Sequence, residues 1–181
     1  MKKTIIAAVV GGLILFFWQF LSWNMLNLHA SQQQYSPKQD QILTALNNIG
    51  LEEGEYVLPT YSRDATAEQK QTYMNSLENN PWAVLRYKKA FKNSMGLNIA
   101  RSLIMNILIV LLFCYFIGGQ VNRSFKKIFI SSLGLGILSY LINPYLYSIW
   151  FGNTTIPDLI DAIVQFSLLG AWLGYMLKEK A

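Results

Sequence analysis

The side chains in this sequence that could do chemistry are the charged ones inside long apolar stretches. Arg101 is the fifth residue of the apolar stretch 97–118, Asp161 is the fifth of the stretch 157–177, and Gln165 follows Asp161 by one helical turn. An isolated charge inside a membrane-spanning helix costs ~3 kcal/mol or more. Because Arg101 and Asp161 lie at matching depth, we predict that they pair, with Gln165 in the same polar cluster.

This predicted cluster has three interpretations. The first is an ion pair between Arg101 and Asp161 that fixes the register of two helices. The second is a site for a ligand, an ion or a proton. In the third, the Arg101 side chain extends to the lipid headgroups instead of pairing. The structural ion pair is the interpretation that we favour.

Signatures of enzymes are scarce. His29 is the single histidine, so a Ser-His-Asp triad would depend on it, and no G-x-S-x-G pattern accompanies it. Cys114 is the single cysteine, which excludes a disulfide within the chain. The acidic turn formed by Glu52, Glu53 and Glu55 is typical of a solvated loop. We therefore predict a protein that is not an enzyme, with no catalytic residue, no cofactor and no metal site.

Four apolar blocks contain or flank these side chains. Each block has a length close to the ~20 residues that cross a ~30 Å hydrocarbon layer. They predict an all-α transmembrane four-helix bundle with a small α+β extracytoplasmic insertion between spans 1 and 2. The predicted spans are residues 1–23, 97–118, 128–149 and 157–177. The predicted connections are the insertion 24–96, a cytoplasmic loop 119–127, an extracytoplasmic hairpin 150–156 and a cytoplasmic tail 178–181.

The distribution of charge predicts the orientation. Seven basic residues and one acidic residue lie at the two termini and in the loop 119–127, whereas the segment 24–96 carries seven of each. Short basic loops stay in the cytoplasm, so both termini are expected there. The first span is expected to be an uncleaved signal anchor; the alternative is cleavage after Ala30. A net charge concentrated in this way argues against nucleic acid as a partner.

The segment 24–96 has the pattern of a small domain. Ser36 and Pro37 begin a helix that ends before Gly50, and Asp64 or Thr66 begins a second helix. Two strand patterns, 54–59 and 82–87, follow these helices in alternation. Two strands alone are marginally stable in water, so this segment is expected to rest on the lipid surface or on a partner protein.

Packing signals lie within the spans. Gly170 and Gly174 form a G-x-x-x-G pattern, which lets helix backbones approach closely. Packing within one chain is favoured over dimerisation. Asn143 and Pro144 interrupt the third span, so a kink or an early helix end is expected there.

Four stretches carry a resemblance to known proteins: MKKTIIAAVVGGLILFFWQFLSW, GEYVLP, PWAVLRY and IDAIVQFSLLGAWLG. With these stretches the chain resembles uncharacterised bacterial four-pass inner-membrane proteins of unknown function. The resemblance covers most of the length. It implies a bacterial inner-membrane protein and carries over no catalytic residue.

Two functions remain open. The first is an accessory or scaffold component whose extracytoplasmic insertion contacts a partner or the lipid surface. The second is a small-solute or ion permease that uses a polar layer in the outer leaflet around Arg101 and Asp161. The expected partners are the lipid bilayer and either another membrane protein or further copies of this chain, with no nucleic acid.

Overall fold

A computed structural model describes residues 2–119 and 122–179 of the chain. The chain forms two units: a helical unit, Met1–Gln34 with Ser94–Ala181, and a small unit, Tyr35–Asn93. Residues 120–121 of the predicted cytoplasmic loop and residues 180–181 of the predicted tail lie outside the described residues, as does residue 1 of the first span.

The described residues form seven α-helices and two strands. In chain order these are α1 (Lys2–Phe20), α2 (Gln39–Asn48), β1 (Gly54–Leu58), α3 (Ala67–Leu77), β2 (Ala83–Tyr87), α4 (Met95–Gly118), α5 (Phe125–Tyr140), α6 (Leu146–Phe151) and α7 (Ile156–Leu177). A π-helical turn, Leu21–Met25, extends α1, and another, Leu141–Tyr145, joins α5 to α6. Four helical segments are long and apolar enough to cross a membrane, as the sequence predicts: Lys2–Met25, Met95–Gly118, Phe125–Phe151 and Ile156–Leu177.

The helical unit is built around α1 and α7. Helix α1 packs against α4 and α7, and α5 packs against α7. The direction is antiparallel for α1 and α7, since Trp172 Nε1 donates to Ala7 O near one end and Trp18 Nε1 donates to Asp161 near the other. An apolar core fills the end of this unit that lies nearer the chain termini. Its fully buried members include Leu15, Val110, Leu169 and Leu173.

The two glycines of the G-x-x-x-G pattern lie against α5 of the same chain. A Cβ atom on Gly170 would lie 2.9 Å from the Ser132 Cβ and 3.1 Å from the Phe129 Cα, and one on Gly174 would lie 2.8 Å from the Phe125 ring. Larger residues at these two positions would force the helices apart. The G-x-x-x-G pattern therefore allows the backbones of α7 and α5 to approach closely within one chain.

The interruption expected at Asn143 and Pro144 lies within the π-helical turn Leu141–Tyr145. Proline has no N–H to donate and its ring clashes with the carbonyl four residues earlier. A π-helical turn contains one extra residue and relieves that clash. The helix consequently continues through α6 to Phe151 and does not end early.

The small unit contains the alternating helices and strands that the sequence predicts. Strands β1 and β2 pair antiparallel, with Gly54 opposite Tyr87 and Leu58 opposite Ala83. Thr66 begins α3 with a capping box, in which its hydroxyl accepts from Gln69 N–H and the Gln69 side chain accepts from Thr66 N–H. Helix α2 begins two residues after Pro37, at Gln39. Neither α2 nor α3 has a buried residue, so these helices do not enclose a core.

Candidate functional site

A buried carboxylate at the beginning of α7 is the centre of the candidate site. Asp161 Oδ1 accepts a hydrogen bond from Trp18 Nε1 at 2.9 Å, and Asp161 Oδ2 lies 2.9 Å from His29 Nε2. The Asp161 side chain is 12% exposed and the His29 side chain 4%. Two residues near the end of α1 and just after it therefore meet a carboxylate more than 130 residues away in the chain, and water has little access to it.

Gln32 continues the hydrogen-bonded chain on the other side of the imidazole. His29 Nδ1 lies 2.6 Å from Gln32 Oε1. The Gln32 amide nitrogen donates to the Thr154 carbonyl oxygen at 2.8 Å and to Asp158 Oδ2. The cluster made of Trp18, His29, Gln32, Asp158 and Asp161, which we call the His29 cluster, thus joins the segment after α1 to the beginning of α7.

Backbone geometry after α1 brings His29 back to the helices. The π-helical turn closes with a hydrogen bond from Leu26 N–H to Leu21 O at 2.8 Å. Asn27 then takes the left-handed conformation, with φ of 49°, which asparagine adopts more readily than most residues. A 3₁₀ helix over Leu28–Ser31 follows. The chain reverses at this point, which places the His29 ring against Trp23 with centroids 3.9 Å apart and planes 5° apart.

A second polar contact joins α1 to α4. Gln19 Nε2 donates to Asn106 Oδ1 at 3.2 Å, and Asn106 Nδ2 donates back to Gln19 Oε1 at 3.0 Å. Asn106 is buried and also donates to Ser102 O. This reciprocal amide pair satisfies two polar side chains that would otherwise destabilise the packed helices.

The predicted pair of Arg101 and Asp161 is not formed among the described residues. Both oxygens of Asp161 are occupied by Trp18 and His29, while Arg101 lies on an exposed face of α4 and has no ion pair in residues 2–119 and 122–179. Helix α4 packs against α1 and leaves Arg101 exposed, whereas Asp161 contacts α1 and the segment that follows it. Gln165 does lie on α7 one turn beyond Asp161, and its Oε1 is buried with no hydrogen-bond partner in the described part of the chain.

Asp158 and Thr155, in and just before the first turn of α7, both make side-chain contacts outside that helix. Asp158 lies in that turn, where the helix dipole favours an anion, and it also accepts from Gln32. Thr155 makes no side-chain cap, and its hydroxyl instead bonds to the Tyr140 hydroxyl at 3.0 Å. The beginning of α7 is thus held by contacts to distant residues.

Sequence reasoning missed four members of the site. In the sequence, Trp18 and Trp23 have the pattern of anchors at a membrane boundary, and the only chemistry that the sequence suggests for His29 is a catalytic triad. Gln32 carries no sequence signal, since its role depends on the reversal after Asn27. A lone histidine just beyond a span that ends in tryptophans was the one available clue.

The acidic turn of the small unit pairs with basic residues beside β2. Glu53 accepts from Lys89 N–H at 3.1 Å and from Lys88 Nζ at 3.3 Å, and these contacts hold the Glu53 pKa below its usual value. Glu52 accepts from Lys89 Nζ at 2.7 Å, which raises the pKa of Lys89. All of these groups are exposed, so the pairs shape the hairpin and contribute little stability.

An open groove of about 950 Å³ lies between α2 and the hairpin within the small unit. Its walls include Leu43 and Leu46 of α2 on one side and Leu85 and Tyr87 of β2 on the other. Tyr87 is buried, and the leucines are partly or fully exposed. The groove shows that α2 and the hairpin leave apolar side chains uncovered.

The chemistry available to the His29 cluster is the binding and release of protons. Among residues 2–119 and 122–179, no three histidine, cysteine, aspartate or glutamate side chains meet as a metal site requires. No protein-family model, curated protein or solved structure matches this chain. The function must therefore be argued from these residues themselves.

Proposed function

We propose that this chain is a non-enzymatic integral membrane protein that serves as an accessory or scaffold component. In this proposal its four apolar helices form a bundle in a bacterial inner membrane, with both termini in the cytoplasm and the small unit outside. The basic residues at the termini and in the loop between α4 and α5 support that orientation. The small unit is then the part that contacts a protein partner or the lipid surface.

One observation carries this proposal: the small unit exposes the side chains that a self-sufficient domain would bury. Tyr87 is its one buried apolar residue. Ile42 and Leu43 of α2 are each more than half exposed, Ile49 is 71% exposed, and Phe91 is 94% exposed. Uncovered apolar side chains on a unit this small are typical of a surface that is covered in the working state.

Site-specific photo-crosslinking in intact membranes tests this proposal. A photoreactive side chain is placed at Ile42, on the apolar face of α2, and in a matched variant at Asn48, on its polar face. A protein adduct of defined mass at Ile42 that is absent at Asn48 indicates a partner, and a lipid adduct restricted to Ile42 indicates the lipid surface. Equal labelling at the two positions, or none at Ile42, contradicts the proposal.

A permease is the second candidate, and the buried polar side chains favour it. Asn106, Ser22 and Asp161 are all buried within the helical unit. The Oγ atom of Ser22 has no hydrogen-bond partner in the described residues. A path for a solute would also have to pass the apolar core around Leu15 and Leu169. Proton or ion flux into vesicles that contain the purified protein, abolished by Asp161→Asn, would favour this function over the first.

A further inference from the structure

The direction of each hydrogen bond around Gln32 is fixed by chemistry. The Thr154 carbonyl oxygen can only accept, so the atom of Gln32 that lies 2.8 Å from it must be the amide nitrogen. The same nitrogen donates to Asp158. The other end of the amide, Oε1, therefore points at His29 Nδ1, and since Oε1 can only accept, Nδ1 must carry a proton.

This assignment determines what lies between His29 and Asp161. With Nδ1 protonated, a neutral imidazole has only a lone pair on Nε2, and a carboxylate has only lone pairs on Oδ2. Two lone pairs at 2.9 Å would repel. The contact thus requires one further proton, held either by Nε2 as an imidazolium or by Oδ2 as a carboxylic acid.

We propose that His29 and Asp161 share one proton and that this proton works as a latch between residues 28–32 and the beginning of α7. When the shared proton leaves for water, His29 can keep its hydrogen bond to Asp161 or its hydrogen bond to Gln32, but not both. Either the lone pairs at Nε2 and Oδ2 separate, or the remaining proton moves to Nε2 and Gln32 must rotate, which breaks its bond to Thr154.

Among the described residues, the other charged group linked to this pair is Asp158, which lies beyond Gln32. The π-helical turn 21–25 and the loop 152–155 carry no titratable side chain. The Trp23 ring covers one face of the imidazole. Because the pair is buried, water cannot replace a lost hydrogen bond without movement of the chain.

The latch is independent of the proposed scaffold function. It acts within the helical unit, on residues 28–32, and two residues separate this segment from the small unit, which begins at Tyr35. If the latch fails its test, the exposed apolar side chains of the small unit and the crosslinking result at Ile42 are unaffected.

The test uses the full chain, purified without a polyhistidine tag and labelled with ¹⁵N-histidine. His29 is the single histidine, so each imidazole signal belongs to it. At neutral pH the wild-type protein should show a protonated Nδ1. As the pH rises, a single step should follow, in which either Nδ1 loses its proton to Nε2 or the signal of the hydrogen bond to Asp161 disappears.

Asp161→Asn is the decisive variant. An asparagine there can accept from Trp18 through Oδ1 and donate its amide N–H to a neutral His29 Nε2, so it holds the latch closed without the shared proton. The alkaline step should be lost in this variant and kept in the matched variant Asp64→Asn, which removes an exposed carboxylate outside the His29 cluster. An unprotonated Nδ1 in the neutral wild-type protein, or the same step in Asp161→Asn as in the wild type, would overturn the proposal.

Hydrogen exchange provides a second measurement that does not depend on His29 signals. Gln32→Glu keeps an oxygen for His29 Nδ1 but cannot donate to Thr154, so exchange over residues 28–34 should become about tenfold faster at neutral pH. Gln33→Glu adds the same charge at the adjacent exposed residue and should leave exchange unchanged. Equal effects of the two substitutions would also overturn the proposal.

Discussion

His29 Nε2 and Asp161 Oδ2 lie 2.9 Å apart although 132 residues separate them in the chain. The contact joins the segment that leaves α1 to the first turns of α7, and it is buried on both sides. A buried pair of this kind is sensitive to the removal of either partner, because the group left behind loses its hydrogen bond and gains no water.

Replacement of Asp161 by leucine should destabilise the protein strongly. The substitution leaves Trp18 Nε1–H and His29 without an acceptor, and two unsatisfied buried groups correspond to a loss of roughly 2–5 kcal/mol. The measurement is the midpoint of thermal unfolding in detergent. Asp161→Asn is the control and should keep most of the wild-type stability, since its amide satisfies both neighbours. Similar losses in the two variants would show that packing volume, not hydrogen bonding, is what Asp161 supplies.

The Gln19 and Asn106 amides should behave as a coupled pair. Gln19→Leu or Asn106→Leu alone leaves the partner amide unsatisfied, with an expected cost of about 1–3 kcal/mol. The double substitution removes both amides and should cost less than the sum of the single changes. A double-mutant cycle on the free energy of unfolding measures this difference. Strict additivity would mean that the two side chains do not interact in solution.

Gly170→Ala should destabilise the helical unit, whereas Gly134→Ala should have little effect. A Cβ at residue 170 meets the Phe129 backbone and Ser132, but a Cβ at residue 134 has no other atom within 4 Å. Overpacking of this kind costs roughly 1–3 kcal/mol. Unfolding midpoints of the two variants in the same detergent provide the comparison. An equal loss at both positions would point to helix flexibility and away from the contact between α5 and α7.

Acid should loosen the end of the hairpin through Glu53. Its pKa is lowered by the Lys89 N–H and by Lys88, so the stabilisation is present above the usual glutamate pKa and is lost as the pH falls through the lowered value. Exchange of the Lys89 amide proton measures this effect. Glu53→Gln should abolish its acid dependence, while Glu78→Gln, at an exposed residue with no ion pair in the described chain, should retain it. An acid dependence that persists in Glu53→Gln would assign the effect to another group.

The sequence predicted the elements well, because each rests on a local pattern. Apolar stretches of spanning length became the four long helices, and Thr66, with Gln69 three residues later, began α3. The structure does not pair Arg101 with Asp161, for a reason that local pattern cannot reveal. Depth along a span follows from counting residues, but the direction of a side chain around the helix axis depends on how neighbouring helices pack.

The sequence also does not reveal the partners of Asp161, because they depend on a reversal of the backbone. His29 lies outside the first span, and it reaches Asp161 because the π-helical turn 21–25 and the left-handed Asn27 reverse the chain. Neither feature has a reliable signature in a single sequence. The short backbone reversal around Asn27 therefore determines that His29 contacts Asp161.

The contact of α7 with α5 restricts how copies of this chain can associate. Gly170 and Gly174 already lie against Phe129 and Phe125 of their own chain, so the smallest side chains of α7 are not available to a second molecule. The exposed surface of α4 is bulky instead, with Leu112, Tyr115 and Phe116 each at least half exposed. A dimer formed through that surface would have widely spaced helix axes and aromatic side chains between them, and lipids would compete for the same contacts.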